Sequence, residues 1–172
     1  MTTLPFSRNA PLTPVRLLEA LCAARPNEAQ LGPREGRHEL LSPEQLPGGT
    51  LYTARELTLL DWDSGADLAG LLLRDTPDPK TGEYLVEWSA ERETCAVFGA
   101  IWRRCWDQGY RLTTVCEPCN QATTMATQDV TAIVQGDGHT ISTTATHPAL
   151  AALLAYAQLV TGLRLPAPKR EG

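Results

Sequence analysis

The chain has 172 residues, 42% of them hydrophobic, with 15 lysines and arginines against 20 aspartates and glutamates. That length and apolar content suit one folded domain and exclude a disordered chain, which has too little apolar surface to bury. No run reaches the ~18 apolar residues of a membrane helix; the best stretch, Ala149 to Leu165, is broken by Gln158, Thr161, Gly162 and Arg164.

The first helix is marked by Thr13 as N-cap and Pro14 as first helical residue. Leu17, Leu18 and Leu21 form its stripe, and Pro26 closes it. Residues 26–50 hold Pro26, Pro33, Pro43, Pro47 and Gly48-Gly49, which predicts a connector with at most a short turn at Ser42-Pro43. Leu51 to Leu73 reads two ways. Leu57, Leu59 and the run Asp61-Trp62-Asp63 alternate as in a strand, while Ala66 to Leu73 suits a short helix or a strand. Pro77 and Pro79 make residues 76–82 an exposed turn and the natural internal boundary.

Beyond that turn the signals sharpen. Ser89 is placed to cap a helix with Glu91 and Glu93 at its positive end. Phe98, Ile101, Trp102 and Cys105 fall on one stripe with Trp106 beside it, and Gly109 ends the helix. The stripe predicts Ile101 and Trp102 buried against Val134 and Ile141. Strands follow over Tyr110 to Cys116, about Met125 to Gln135, and His139 to Thr146. A two-residue turn at Asp137-Gly138 pairs Val134 with Ile141 and Ala132 with Thr143, gathering apolar residues on one face. The opposite face then carries Thr131, Ile133 and Gln135 beside Thr140, Ser142, Thr144 and Thr146. Pro148 opens the last helix, with Leu150, Leu153, Leu154 and Ala157 as its stripe and Gly162 as its stop.

These elements predict an α+β fold. A three-stranded antiparallel meander flanked by two helices occupies residues 81–165. A less regular N-terminal helical subdomain fills residues 1–80, and residues 166–172 form a tail.

Charge narrows the partners. Residues 1–93 carry fifteen acids against nine bases, while residues 94–172 carry five against six. An acidic front half argues against non-specific binding to a nucleic-acid backbone, which needs clustered Lys and Arg. It suits either a solvated face or an acidic surface that meets a basic partner. The opening Met-Thr-Thr-Leu-Pro-Phe-Ser-Arg has no basic run leading into an apolar stretch, and the five cysteines are an odd number. Both predict a cytoplasmic protein with reduced thiols.

Cys116-Glu-Pro-Cys119 is the sharpest motif, a spacing that chelates zinc or exchanges disulfides. Zinc needs two more ligands. His139 and His147 lie about eight residues apart, some ~26 Å along an extended chain, too far to close one site together. The pair therefore reads first as plain thiols in a loop or at a strand end, with metal binding and redox exchange behind. Trp88, Trp102 and Trp106 suit either core packing or a stacking platform for a small ligand. Asp61, Asp63 and Asp67 suit a carboxylate set for a metal, but lack the later Gly and Glu of a calcium loop, and an acidic turn explains them as well. There is no G-x-S-x-G elbow, and Gly136-Asp137-Gly138 has no following Lys-Ser/Thr of a phosphate loop. The pattern leans away from an enzyme.

The stretch Tyr84 to Ser89, the Trp-bearing helix ending in Gln108-Gly109-Tyr110, the hairpin, and Ala145 to Leu150 opening an Ala/Leu helix together resemble the phage ABA sandwich domain. The resemblance spans about residues 84–162. It implies a phage or prophage accessory protein and brings no active site with it; the absence of a catalytic set then suggests a non-enzymatic protein that binds a macromolecular partner, such as a host-defence component. The longer front half and the Cys116/Cys119 pair depart from the family's pattern. On this reading the partner surface is Thr140, Ser142, Thr144 and Thr146. The alternatives are a zinc or thiol protein built on Cys116 and Cys119, or a small-ligand binder using the tryptophans.

Overall fold

The computed structural model describes residues 11–32, 37–39, 51–61, 63–74, 86–88, 94–116, 130–145 and 147–167. Its elements are α1 (Pro14–Ala24), β1 (Ala29–Leu31), β2 (Arg37–Glu39), β3 (Leu51–Leu60), β4 (Asp67–Arg74) and β5 (Val86–Trp88). They continue as α2 (Thr94–Asp107), β6 (Arg111–Cys116), β7 (Val130–Gly136), β8 (His139–Ala145) and α3 (Pro148–Thr161). The fold is α+β, with helices packed on antiparallel sheets.

The meander forms in the register that its apolar residues demand. In the order β6-β7-β8, Val134 faces Ile141, Ala132 faces Thr143 and Gly136 faces His139. Asp137 and Gly138 take φ of 49° and 74°, the paired positive values of a type I′ turn that matches the twist of the two strands. Gly136 is required for a separate reason. A Cβ there would stand 2.6 Å from Tyr110 Cδ1 and 2.9 Å from the Gly109 carbonyl, so the Tyr110 ring packs where a side chain would be.

Leu112, Val130, Ala132, Val134 and Ile141 turn to one side of this sheet and bury there against α3. α3 is more deeply placed than a single stripe implies. Every residue from Ala149 to Gln158 is buried, because α1, α2 and the meander all pack on it. A helix apolar all round is the one that belongs in the middle. Gly162 closes it, donating its N–H to the Gln158 carbonyl at 3.0 Å. α1 starts as its residues dictate, with Thr13 Oγ1 accepting the Arg16 N–H at 3.3 Å and Leu17, Leu18 and Leu21 facing the core.

The N-terminal part corrects the expectation of a less regular subdomain. It carries a second antiparallel sheet of five strands, in the order β1-β3-β4-β5 with β2 also pairing β3. The supposed connector over residues 26–50 contains β1 and β2. Each is three residues long, too short to show a period, and each pairs onto the much longer β3. The ambiguous stretch from Leu51 to Leu73 is two strands of one hairpin. The turn at 76–82, on which the sequence places a boundary, lies outside the described residues; β5 beyond it pairs with β4 at Leu71 to Leu73. Leu57, Leu59, Ala69 and Leu71 join the core built on α3. Ser42-Pro43, the Ser89 cap with Glu91 and Glu93, the 125–129 start of the second strand and the tail beyond 167 also lie outside the described residues. No described helix is long and apolar enough to cross a membrane.

Candidate interaction surface

Alternation along β6, β7 and β8 sends every second side chain away from α3. On that outer face Thr140, Ser142, Thr144, Gln135, Arg111, Thr113 and Val115 are exposed, while Thr131 and Ile133 are half-buried. The Thr131 and Thr144 hydroxyls, directly opposite across the strands, hydrogen-bond at 2.9 Å. The face is therefore a hydroxyl-rich surface with two apolar groups, Val115 and Ile133, and one cation, Arg111. Thr146 lies outside the described residues. Of the four partner-surface residues read from the sequence, the three described ones share this exposed face.

The tryptophans require a correction. Trp102 is 44% exposed and Trp106 is 63% exposed, so neither is a core residue. At ~100° per residue the buried arc of α2 is centred on Val97, Ile101, Arg104 and Cys105, with Phe98 at its margin. Trp102 and Trp106 lie beyond that margin. The apolar stripe is wider than the surface available to cover it, and a charged residue, Arg104, occupies part of the core-facing arc. The two indoles instead stack on each other, with ring centroids 5.6 Å apart and planes 14° from parallel. Trp88 lies on β5, apart from them in sequence and on a different element.

Cys116 is an exposed free thiol at the end of β6, and Cys119 lies outside the described residues. No group of three or more His, Cys, Asp or Glu side chains that would hold a metal occurs among the described residues. The aspartates serve a turn. Asp61 accepts the Asp63 N–H and the Ser64 hydroxyl, each at 3.0 Å, and these bonds hold its carboxyl below the usual range. Asp63 pairs with Arg103 at 3.2 Å, across the exposed surface.

A polar cluster that sequence reasoning missed lies inside. Glu28, between α1 and β1, approaches Arg104 Nη1 to 3.6 Å and accepts the Tyr156 hydroxyl at 2.6 Å. Arg104 Nη2 donates to the Leu60 carbonyl at 2.6 Å, next to a register shift in β3. Gln108 donates to the Arg104 carbonyl at 3.0 Å. Burial first, then the Glu28 carboxylate, pushes the Tyr156 phenol well above its ordinary pKa. Burial also pushes the adjacent Cys105 thiol up to about 12, which keeps it an unreactive neutral group. Tyr156 is fully buried and Arg104 is 3% exposed, so the cluster ties α2, α3 and the first sheet together from inside, with only Gln108 at the surface. No local pattern announces it, since Glu28 and Tyr156 are 128 positions apart.

No protein-family model matches the chain, and no curated protein matches it.

Proposed function

We propose that the protein is a non-enzymatic, cytoplasmic accessory protein of the phage or prophage kind, which binds a protein partner through the outer face of the meander. The observation that carries this reading is the exposure of Thr140, Ser142 and Thr144 on a sheet whose other face packs on α3 through Ala132, Val134, Ile141 and Thr143. Such a face offers hydroxyl donors and acceptors in a rigid array, with Val115 and Ile133 as small apolar anchors. The phage assignment rests on the sequence resemblance, whose helix, three strands and Ala/Leu-rich closing helix are the elements α2, β6 to β8 and α3.

Affinity capture from a bacterial lysate tests the reading, with the wild-type chain and a Ser142→Glu/Thr144→Arg variant as baits. Both substituted side chains point outward, so the variant folds normally. The expected outcome is a protein retained by the wild type and lost by the variant. An identical captured set for both baits overturns the assignment of this face.

One observation favours a second reading. The exposed, stacked Trp102 and Trp106 form an aromatic platform of the kind that holds a small planar ligand. Trp102→Ala separates the two readings, because it removes this platform and leaves the meander intact.

A further inference from the structure

We infer that β8 is a docking edge, on which an extended peptide segment of another protein adds as a fourth strand and inserts one apolar side chain into a groove beside Thr143. The inference rests on the reading of the meander as the interaction surface, and it names the chemistry of the partner.

β8 is the outer strand of the order β6-β7-β8. The type I′ turn closes with the Gly136 carbonyl accepting the His139 N–H, so the hydrogen-bonded pairs with β7 recur at Ile141, Thr143 and Ala145. Thr140, Ser142 and Thr144 consequently direct their N–H and C=O groups away from β7. No backbone hydrogen bond joins these groups to another described element. Natural edge strands are usually blunted by charge, proline or a bulge. Residues 139–145 carry no Lys, Arg, Asp, Glu or Pro, and their pairing runs without a register shift.

A groove of about 310 Å³ runs along this edge, at the low end of the ~300–1,000 Å³ range of ligand pockets. Ser142, Thr143 and Thr144 all line it. Consecutive strand residues point to opposite faces, so a groove touching three in a row follows the backbone edge. Its other walls are Leu12, Leu154 and Leu165 with neighbouring prolines, and no charged side chain lines it. The groove is held open by a buried polar latch. Gln158, 3% exposed, donates to Thr143 Oγ1 at 2.5 Å and accepts the Leu165 N–H at 2.9 Å, which fixes the segment after α3 opposite the strand.

Free main-chain donors and acceptors at two-residue spacing match an extended backbone, and an uncharged, leucine-lined groove matches an aliphatic side chain. A second copy of β8 does not supply that side chain. Its inward residues, Ile141 and Thr143, are buried under its own α3. A peptide from another protein has both its backbone and its side chains free.

The test selects a displayed library of randomised linear peptides against the full chain. Binders should carry an aliphatic residue within an uncharged, β-prone stretch, and bound peptide should slow amide exchange at Ser142 and Thr144. Ser142→Pro removes an outward N–H that makes no bond within the sheet. It should leave the circular dichroism spectrum unchanged and weaken binding by about tenfold or more. Leu165→Glu, which places a carboxylate in the groove wall, is a second variant and should also weaken binding. Failure to select any peptide, or selected peptides indifferent to both variants, overturns the inference. Loss of binding with Thr140→Glu/Thr144→Arg but not with Ser142→Pro keeps the face as the interaction surface and overturns the edge. A wild-type dimer that Ser142→Pro converts to a monomer in sedimentation assigns the edge to a second copy and also overturns it.

Discussion

Arg104 is the residue on which the interior depends most. Its guanidinium is bound between the Glu28 carboxylate and the Leu60 carbonyl, while its Nε has no partner among the described residues. Truncating one member of a buried ion pair strands the other, at a cost of about 3–5 kcal/mol. Arg104→Ala should lose that much in urea unfolding, and Tyr156→Phe about 1–2 kcal/mol, since it removes the bond to Glu28 and the longer one from Gln108 but leaves Glu28 paired with Arg104. A loss below ~1 kcal/mol for Arg104→Ala would show that the cluster is not the tie between the helices and the first sheet. Cys105 gives a pH test. Its thiol ionises near its ordinary 9.0 in the unfolded chain and only at about 12 in the folded one. The raised native value means that its stabilising effect is complete below pH 9 and is lost as pH rises towards 12, by ~1.4 kcal/mol per pH unit while only the unfolded chain is ionised. Denaturant unfolding from pH 8 upward should therefore show a shallower alkaline decline in Cys105→Ala, whatever the offset its cavity causes. An unchanged slope would place the thiol in contact with water.

Among the elements, α2 shows most clearly what hydrophobic pattern reveals and conceals. The pattern located the helix, its end at Gly109 and the burial of Ile101, but it put Trp102 on the wrong side of the core margin. A helical stripe reports apolar character, not the direction of the covering layer. Here Arg104 takes a core-facing place because Glu28 lies opposite, a pairing invisible from either residue's neighbours. Ile101→Ala should cost about 2–5 kcal/mol, the range for a deleted core side chain. Trp102→Ala should cost under ~1 kcal/mol, since much of the indole is already in water. Chemical denaturation of both variants checks the order, and the reverse order would return Trp102 to the core. The β7–β8 hairpin was legible to the register, because strand period two and a positive-φ turn pair leave one arrangement that buries Val134 and Ile141 together. β1 and β2 were not legible, since their three-residue lengths carry no period and their pairing depends on a distant β3.

At the scale of the whole molecule, α3 is the axis of the fold. It packs on one face of the meander and leaves the other to solvent, and on the side of the groove the outward backbone groups of β8 meet no other described element. The Thr-rich outer face could be read from alternation, whereas the groove could not, because it needs Leu165 to return over Thr143 through Gln158. Peptide docking on the meander thus requires that the β8 edge be open in the isolated chain. Residue-resolved amide hydrogen exchange measures this directly. Ile141 and Thr143 should exchange slowly, protected by their bonds to β7, while Thr140, Ser142 and Thr144 should exchange close to the rate of free amides. Equal protection at all five positions would mean that the edge is already paired, and would contradict the account.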